Sequence, residues 1–137
     1  MIDPNHVPPV AHDEMLARFI LHGNEFRKLD GSLKPELFMP YKLVTLSVNR
    51  HRDCTEDEIW NIGNQVAEKR KCSLYGRGDI KALSCRIGPL DVVPNPLPDN
   101  ANHADVTGYP AQKEEQKSIA LKLAATAGRR IAPPATH

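Results

Sequence analysis

The sequence predicts a small α+β domain, in which a mixed or antiparallel sheet of about four to five strands packs against two to three helices. Residues 42–50 alternate between two faces as a strand does. The segment after Thr55 has apolar residues at helical spacing behind an N-terminal capping pattern. Residues 103–107 alternate again, and a helical pattern rich in alanine follows them.

Length and proline content predict how the chain is divided. Its 137 residues suit one domain. Residues 1–11, with three prolines, are predicted to form an extended N-terminal arm, and residues 12–128 a single α+β domain. Residues 129–137 are predicted to form a disordered C-terminal tail.

Charge and cysteine content limit the kind of protein. A net charge of +1 gives no overall field that would attract nucleic acid. The chain has no apolar run long enough to span a membrane, and its first residues do not resemble a secretory signal. Its three cysteines are widely spaced, which is typical of reduced thiols, so we expect a cytoplasmic protein with no membrane partner.

The first elements are a short helix that runs into a strand over residues 12–21, and then the strand at residues 42–50. Before the second strand, Leu37 and Phe38 are predicted to be buried. One face of this strand consists of Val44, Leu46, Val48 and Arg50. The first three are apolar, and Arg50 at the end of the strand is charged. Arg50 is therefore either a ligand for an anion or carboxylate, or a strand-end charge that reaches solvent.

The clearest helix begins after Thr55. Thr55 and Glu58 form a capping box. Trp60 lies beside the apolar stripe and is interpreted as a core residue. Gly63 is unfavourable in the middle of a helix, so its presence indicates close packing against the sheet.

Residues 74–79 are predicted to form a tight loop that presents the Arg77 guanidinium, with Tyr75 beside it. Together with His51, these two residues are our candidates for ligand binding. Residues 79–87 fit either a strand or a helix, and residues 90–93 fit a strand. The last helix lies between Gln112 and Gly128, with a narrow apolar face made by Ile119, Ala120, Leu123, Ala124 and Ala127.

Residues 103–107 are the most functional-looking part of the chain. His103 and Asp105 are two apart, so they share one strand face, while Ala104 and Val106 face the core. An imidazole beside a carboxylate suggests a general base. The spacing of the histidines and cysteines does not suggest a metal site, and no cofactor is expected.

Several motifs of this chain resemble a family of short uncharacterised bacterial proteins. The shared pattern is Leu-Ser-Val-x-Arg at residues 46–50, Leu-Tyr-Gly-Arg at 74–77 and Asn-His-Ala-Asp-Val-Thr-Gly-Tyr-Pro at 102–110. The resemblance implies a bacterial accessory protein and assigns no activity.

A looser likeness is to ADP-ribosyltransferase-like folds. Arg18, Phe38-x-Pro40 and Leu46-Ser47-Val48 are similar to the arginine and serine strands of those enzymes. Where they carry a late glutamate, this chain has His103-x-Asp105. The likeness implies an enzyme that acts on a nucleotide or NAD and uses Arg18, Ser47, Arg50, His103 and Asp105 as catalytic residues.

Three hypotheses of function remain at this stage. The first is an accessory protein that acts through a protein partner. The second is the nucleotide-directed enzyme. The third is a nucleic-acid-binding module that uses Arg50, Arg52, Arg70 and Arg77. An enzyme would gather its candidate residues in one cleft, whereas an interaction protein would scatter them and expose an apolar surface.

Overall fold

A five-stranded antiparallel sheet organises the described residues, 1–40 and 44–135, of the computed structural model. The strand order is β3-β1-β2-β5-β4. In chain order the elements are β1 (Met15–Ile20), β2 (Leu46–Arg50), α1 (Glu56–Lys69), β3 (Gly76–Lys81), α2 (Ala82–Arg86), β4 (Asp91–Pro94), β5 (His103–Thr107) and α3 (Lys113–Ala127). The predicted α+β class and antiparallel sheet are confirmed.

The larger core lies on the face of the sheet that α2, α3 and a 3₁₀ turn at Pro35–Phe38 cover. Leu37 and Phe38 from that turn are fully buried, as predicted. The predicted apolar face of α3 is confirmed, because its five members belong to this core or pack against it. The helix ends at Gly128, whose φ of 81° is a conformation that glycine adopts easily.

Helix α1 covers part of the opposite face and builds a second, smaller core. Ile59 and Ile62 pack there with Phe19 of β1. The predicted capping box is present, since the Glu58 amide donates to the Thr55 hydroxyl and the Thr55 amide donates to the Glu58 carboxylate. A methyl group on Gly63 would lie 2.6 Å from a ring carbon of Phe19, which confirms the predicted close packing.

Two of the early predictions are wrong in part. Residues 12–14 form no helix, and the chain enters β1 directly from a turn. Of the segment 42–50, residues 42 and 43 lie outside the described residues. The strand begins only at Leu46, and Val44, predicted to face the core, is 46% exposed.

The ambiguous segment 79–87 contains both types of structure. It continues β3 as far as Lys81 and then turns into α2. The switch places Ala82 and Cys85 in the core. The strand predicted at residues 90–93 is present one residue later, as β4.

Both ends of the chain make contacts with the domain. Ile2 and Val10 are buried, so the N-terminal arm is anchored near both of its ends, while residues 3–6 between them are exposed. Arg129 pairs with Ser32, and Ile131 pairs with Arg77 at the edge of β3. Residues 129–131, predicted to be part of a disordered tail, are therefore paired with the rest of the fold.

Candidate functional site

A cleft of about 170 Å³ lies between the sheet and the C-terminal half of α1. The sheet residues come from β1, β2 and β5, and the loop before β5 forms one rim. The cleft brings together three of the predicted catalytic residues, namely Arg18, Ser47 and His103. The remaining lining residues are Phe19, Leu21, Asn49, Gln65, Val66, Lys69, Arg70, Leu97, Asp99 and Asn100.

Arg18 lies where the ladder between β1 and β2 stops. These strands pair only at Leu16 with Arg50 and at Ala17 with Asn49. Beyond that point the Arg18 guanidinium donates to the carbonyl oxygens of Ser47 and Leu37, each at 3.0 Å. Arg18 thus joins the two strands where backbone pairing does not.

The alternation predicted for β5 is confirmed. Ala104 and Val106 are buried in the larger core, while His103 and Asp105 are half-buried on the other face. Ser47 on β2 stands opposite Asp105 on that face. Within the described residues no hydrogen bond joins Ser47, His103 and Asp105, so they do not form a linked triad.

His103 and Asp105 are instead both tied to Asn95. The His103 Nδ1 lies 2.9 Å from the Asn95 carbonyl oxygen, and the Asn95 side-chain amide donates to Asp105 at 2.8 Å. A carbonyl oxygen only accepts, so Nδ1 carries a proton, and in the neutral ring Nε2 holds the lone pair. His103 therefore has a structural task, which is to clamp the loop between β4 and β5.

Asparagines fix that loop against β2. The Asn100 amide donates to the Asn49 side chain at 2.6 Å. Asn102 is fully buried, and its amide donates to the carbonyl oxygens of Arg50 and Arg52. These bonds hold the loop that forms the rim of the cleft firmly against the sheet.

Arg50 does not lie in the cleft, and the prediction that it reaches solvent is wrong, while the carboxylate that it binds is that of Glu14 within the fold. Its side chain is completely buried and forms a salt bridge of 2.7 Å with Glu14. Its remaining donors bond to the carbonyl oxygens of Pro8 and Pro9. Burial alone would raise the pKa of Glu14, but hydrogen bonds from Arg50 and the Ala11 amide and the charges of Arg50 and Arg52 lower it overall.

The three predicted binding residues lie elsewhere. Arg77 is not presented by a loop, because it belongs to β3 and is 2% exposed. Its guanidinium bonds to Asp79 and Glu56 and lies 4.8 Å from the centre of the Trp60 ring, which is buried as predicted. His51 joins this cluster through Asp79 at 3.1 Å.

Tyr75 has no contact with this cluster among the described residues. It is 38% exposed, and its ring centre is 6.0 Å from that of Phe26. Tyr75, His51 and Arg77 therefore do not form one site.

The four arginines proposed for nucleic acid do not form a basic surface. Arg50 and Arg77 are buried and paired with carboxylates. Arg52 is partly exposed and lies 3.6 Å from Glu14. Arg70 lines the cleft. Two of the four charges are therefore neutralised inside the protein.

A second concave surface lies between α2 and α3, on the other side of the sheet. This apolar groove measures about 580 Å³. Ile87 stands on it and is 78% exposed. The other lining residues are Ser84, Cys85, Gly88, Pro89, Leu90, Ile119, Lys122, Leu123, Ala125 and Thr126.

The three cysteines form no disulfide. All three are free, and they lie within the described residues. Burial raises the pKa of Cys85 to about 11 and also raises that of Cys54, so neither thiol is activated. Among residues 1–40 and 44–135, no cluster of three or more histidine, cysteine or acidic side chains is arranged to hold a metal ion.

Sequence reasoning missed several residues that shape the cleft. Gln65 and Val66 come from α1, and Leu97 and Asn100 come from the loop. No local pattern marks them, because they meet the sheet only through the packing of α1 and the folding of the loop. Lys69, Arg70 and Lys71 form a basic run, which also fits a helix C-terminus.

Fold and site define a small antiparallel α+β protein with helices on both sides of one sheet. No family model, curated protein or solved structure matches the chain. In the part of the chain that the structure describes, no helix has the length and apolar character needed to cross a membrane.

Proposed function

We propose that this chain is an accessory protein that acts by binding a protein partner, and that the groove between α2 and α3 is its docking surface. The observation that carries the proposal is Ile87. A large aliphatic side chain that is 78% exposed beside an apolar groove gains free energy when a partner covers it.

The groove also indicates the kind of segment that fits. Ile119 and Leu123 of α3 line one side, and Ile87 and Pro89 line the other. Among its described lining residues, Lys122 carries the one formal charge. The matching occupant is an amphipathic helix of a partner protein, with an apolar face and an acidic residue that lies near Lys122.

The arrangement of the candidate catalytic residues favours binding over enzymatic activity. Arg50 is committed to Glu14 in the core, and Asp105 is bonded to Asn95. The cleft that holds the other three measures about 170 Å³. Sites for drug-sized ligands usually measure about 300–1,000 Å³, so this volume does not suit a dinucleotide such as NAD.

Co-purification with single surface variants tests the proposal. The tagged wild-type protein, Ile87→Lys and Leu29→Lys would each be expressed in the cells that naturally make the chain. Leu29 is 99% exposed and does not line the groove, so Leu29→Lys is the matched control. We expect the wild type and Leu29→Lys to retain the same partner, and Ile87→Lys to lose most of it.

Thermal melts of the three proteins test for a folding defect. We expect none, because both positions are at the surface and such changes usually alter stability by less than about 0.5 kcal/mol. A partner that stays equally bound to Ile87→Lys would place the docking surface elsewhere. If no partner co-purifies with the wild type, the proposed role fails.

A further inference from the structure

We propose that the cleft beside α1 binds a small neutral molecule through a primary carboxamide group. This site lies across the sheet from the apolar groove and does not depend on the proposed docking role. The proposal rests on one hydrogen-bond donor and one acceptor that lie next to each other on the sheet.

The donor belongs to Asn49, and a chain of hydrogen bonds fixes its orientation. The backbone N–H of Asn102 can only donate, and it donates to the Asn100 Oδ1 at 3.1 Å. The Asn100 Nδ2 is therefore the atom that donates to Asn49, at 2.6 Å, and the atom of Asn49 that accepts is its Oδ1. The Asn49 Nδ2 is left without a hydrogen-bond partner among the described residues.

This Nδ2 group is available inside the cleft. The Asn49 side chain lines the cleft, although the residue is only 6% exposed. Among the residues that the structure describes, no fully buried side-chain nitrogen or oxygen lacks a partner, so the unpaired Nδ2 is accessible. A donor that the fold already holds in place suits a ligand oxygen, because little side-chain freedom is lost on binding.

The acceptor is the Nε2 of His103. This residue pairs with Asn49 across the ladder between β2 and β5, and the Cβ atoms of such opposite residues lie about 4.5–5.5 Å apart. Both side chains line the cleft. Because the His103 Nδ1 donates its hydrogen to the Asn95 carbonyl, Nε2 of the neutral ring accepts and does not donate.

A primary carboxamide matches this pair of groups. Its oxygen can accept from Asn49 while its N–H donates to His103, whereas a carboxylate or a ketone has no hydrogen to donate. The charged side chains of the cleft do not require an ionic ligand. Lys69 is paired with Asp99, and Arg18 is bonded to two carbonyl oxygens of the protein.

Apolar residues complete the walls and limit the size of the ligand. Phe19, Leu21, Val66 and Leu97 line the same space. They would cover a short hydrocarbon body attached to the carboxamide. The volume of about 170 Å³ suits a ligand smaller than a nucleotide.

An NMR titration of the folded chain with butyramide tests this proposal. Methyl propyl ketone, which has nearly the same shape and a carbonyl oxygen but no N–H, is the first control. The second is n-butanol, which donates and accepts through a single oxygen. We expect butyramide to shift the amide signals of Asn49, Val66 and His103. Each control should bind about fivefold more weakly, the effect of one lost hydrogen bond.

Two variants test the donor and the acceptor separately. His103→Asn keeps an N–H near the place of Nδ1 and has no atom at the place of Nε2. Asn49→Asp keeps an oxygen for Asn100 and replaces the free N–H donor by a second acceptor. Each variant should weaken the binding of butyramide about fivefold. Asn64→Asp, the same change at an exposed position of α1 outside the cleft, should leave the affinity unchanged.

The proposal is overturned if butyramide does not shift these signals, if either control binds as tightly as butyramide, or if both variants bind it as the wild type does. It is also overturned if Asn64→Asp weakens binding as much as Asn49→Asp. The amide spectrum shows whether each variant is folded. Where a variant does not fold, the comparison of the three ligands on the wild-type protein decides.

Discussion

Arg50 is the residue that most clearly shows how this fold handles charge. A fully buried guanidinium is costly to remove from water, and it stays charged only if its surroundings compensate. Glu14 supplies the opposite charge through two bonds of 2.7 Å, and two proline carbonyls accept the other donors. The pair therefore fastens the N-terminal arm and the start of β1 to the end of β2.

Replacing Glu14 by glutamine should destabilise the protein strongly at neutral pH. The change leaves Arg50 buried without its counter-charge, which costs about 3 kcal/mol. Urea denaturation at pH 7 would measure the loss. Glu115→Gln, which neutralises an exposed carboxylate on α3, should change the free energy of unfolding little and serves as the control.

The same pair predicts a dependence on pH. The pKa of Glu14 is lowered in the folded protein, so its ionised form is favoured there. This contribution is present above the ordinary carboxylate pKa and is lost as the pH falls below about 4.5. The difference in stability between wild type and Glu14→Gln should therefore shrink at low pH, and an unchanged difference would contradict this assignment.

At the scale of elements, the contact between α1 and β1 depends on a glycine of the helix, which has no side chain. Gly63 allows the ring of Phe19 to lie against the helix backbone. Phe19 and the helix residues Ile59 and Ile62 then form the smaller core. This packing positions the part of α1 that forms a wall of the cleft.

Substitution of Gly63 by alanine should destabilise the protein, although alanine is the better helix former by about 1 kcal/mol. The new methyl group would lie 2.6 Å from the Phe19 ring, and overpacking of this kind costs about 1–3 kcal/mol. Thermal denaturation would measure the effect. Asn64→Ala, at an exposed position of the same helix, should not destabilise.

A second substitution identifies the cause. Phe19→Leu in the Gly63→Ala background removes part of the ring and should cost less there than it does in the wild type. A Gly63→Ala protein that is more stable than the wild type would show that the close approach of α1 does not matter.

The elements that could be predicted from the sequence are those with a local signal. Three such signals each predict the structure of their own segment: the Thr55 cap, the alternation of residues 103–107 and the glycine at residue 128. All three are present in the structure. The positions of Arg50 and Arg77 could not be predicted in this way. Their partners, Glu14 and Glu56, are distant in sequence, and only the folded sheet brings them together.

The cleft was predictable only in part for the same reason. His103 was found from the alternation of its strand, and Ser47 and Arg18 from the likeness to ADP-ribosyltransferase-like folds. The wall from α1 and the rim from the loop depend on tertiary packing. Asn95, which holds both His103 and Asp105, carries no pattern that would distinguish it from an ordinary loop residue.

At the scale of the whole molecule, the sheet separates two surfaces of different chemistry. The cleft beside α1 is lined by charged, polar and apolar groups, and the groove between α2 and α3 is more apolar, with Lys122 as the one charged residue among those described. Both edge strands of the sheet already make contacts, which leaves them less available for pairing with a strand of another protein. Ile131 bonds to Arg77 on β3, and the Arg86 guanidinium donates to the Val92 carbonyl on β4. We therefore propose the apolar groove as the surface for a protein partner.

Photo-crosslinking in the cells that naturally make the chain tests this central claim most directly. A benzoylphenylalanine would replace Ile87 in the groove, Leu29 on the remote surface or Gln65 at the cleft, one position at a time. Docking in the groove predicts a covalent adduct with one partner protein from position 87 and none from position 29. An adduct from position 65 or 29 without one from position 87 would contradict the account.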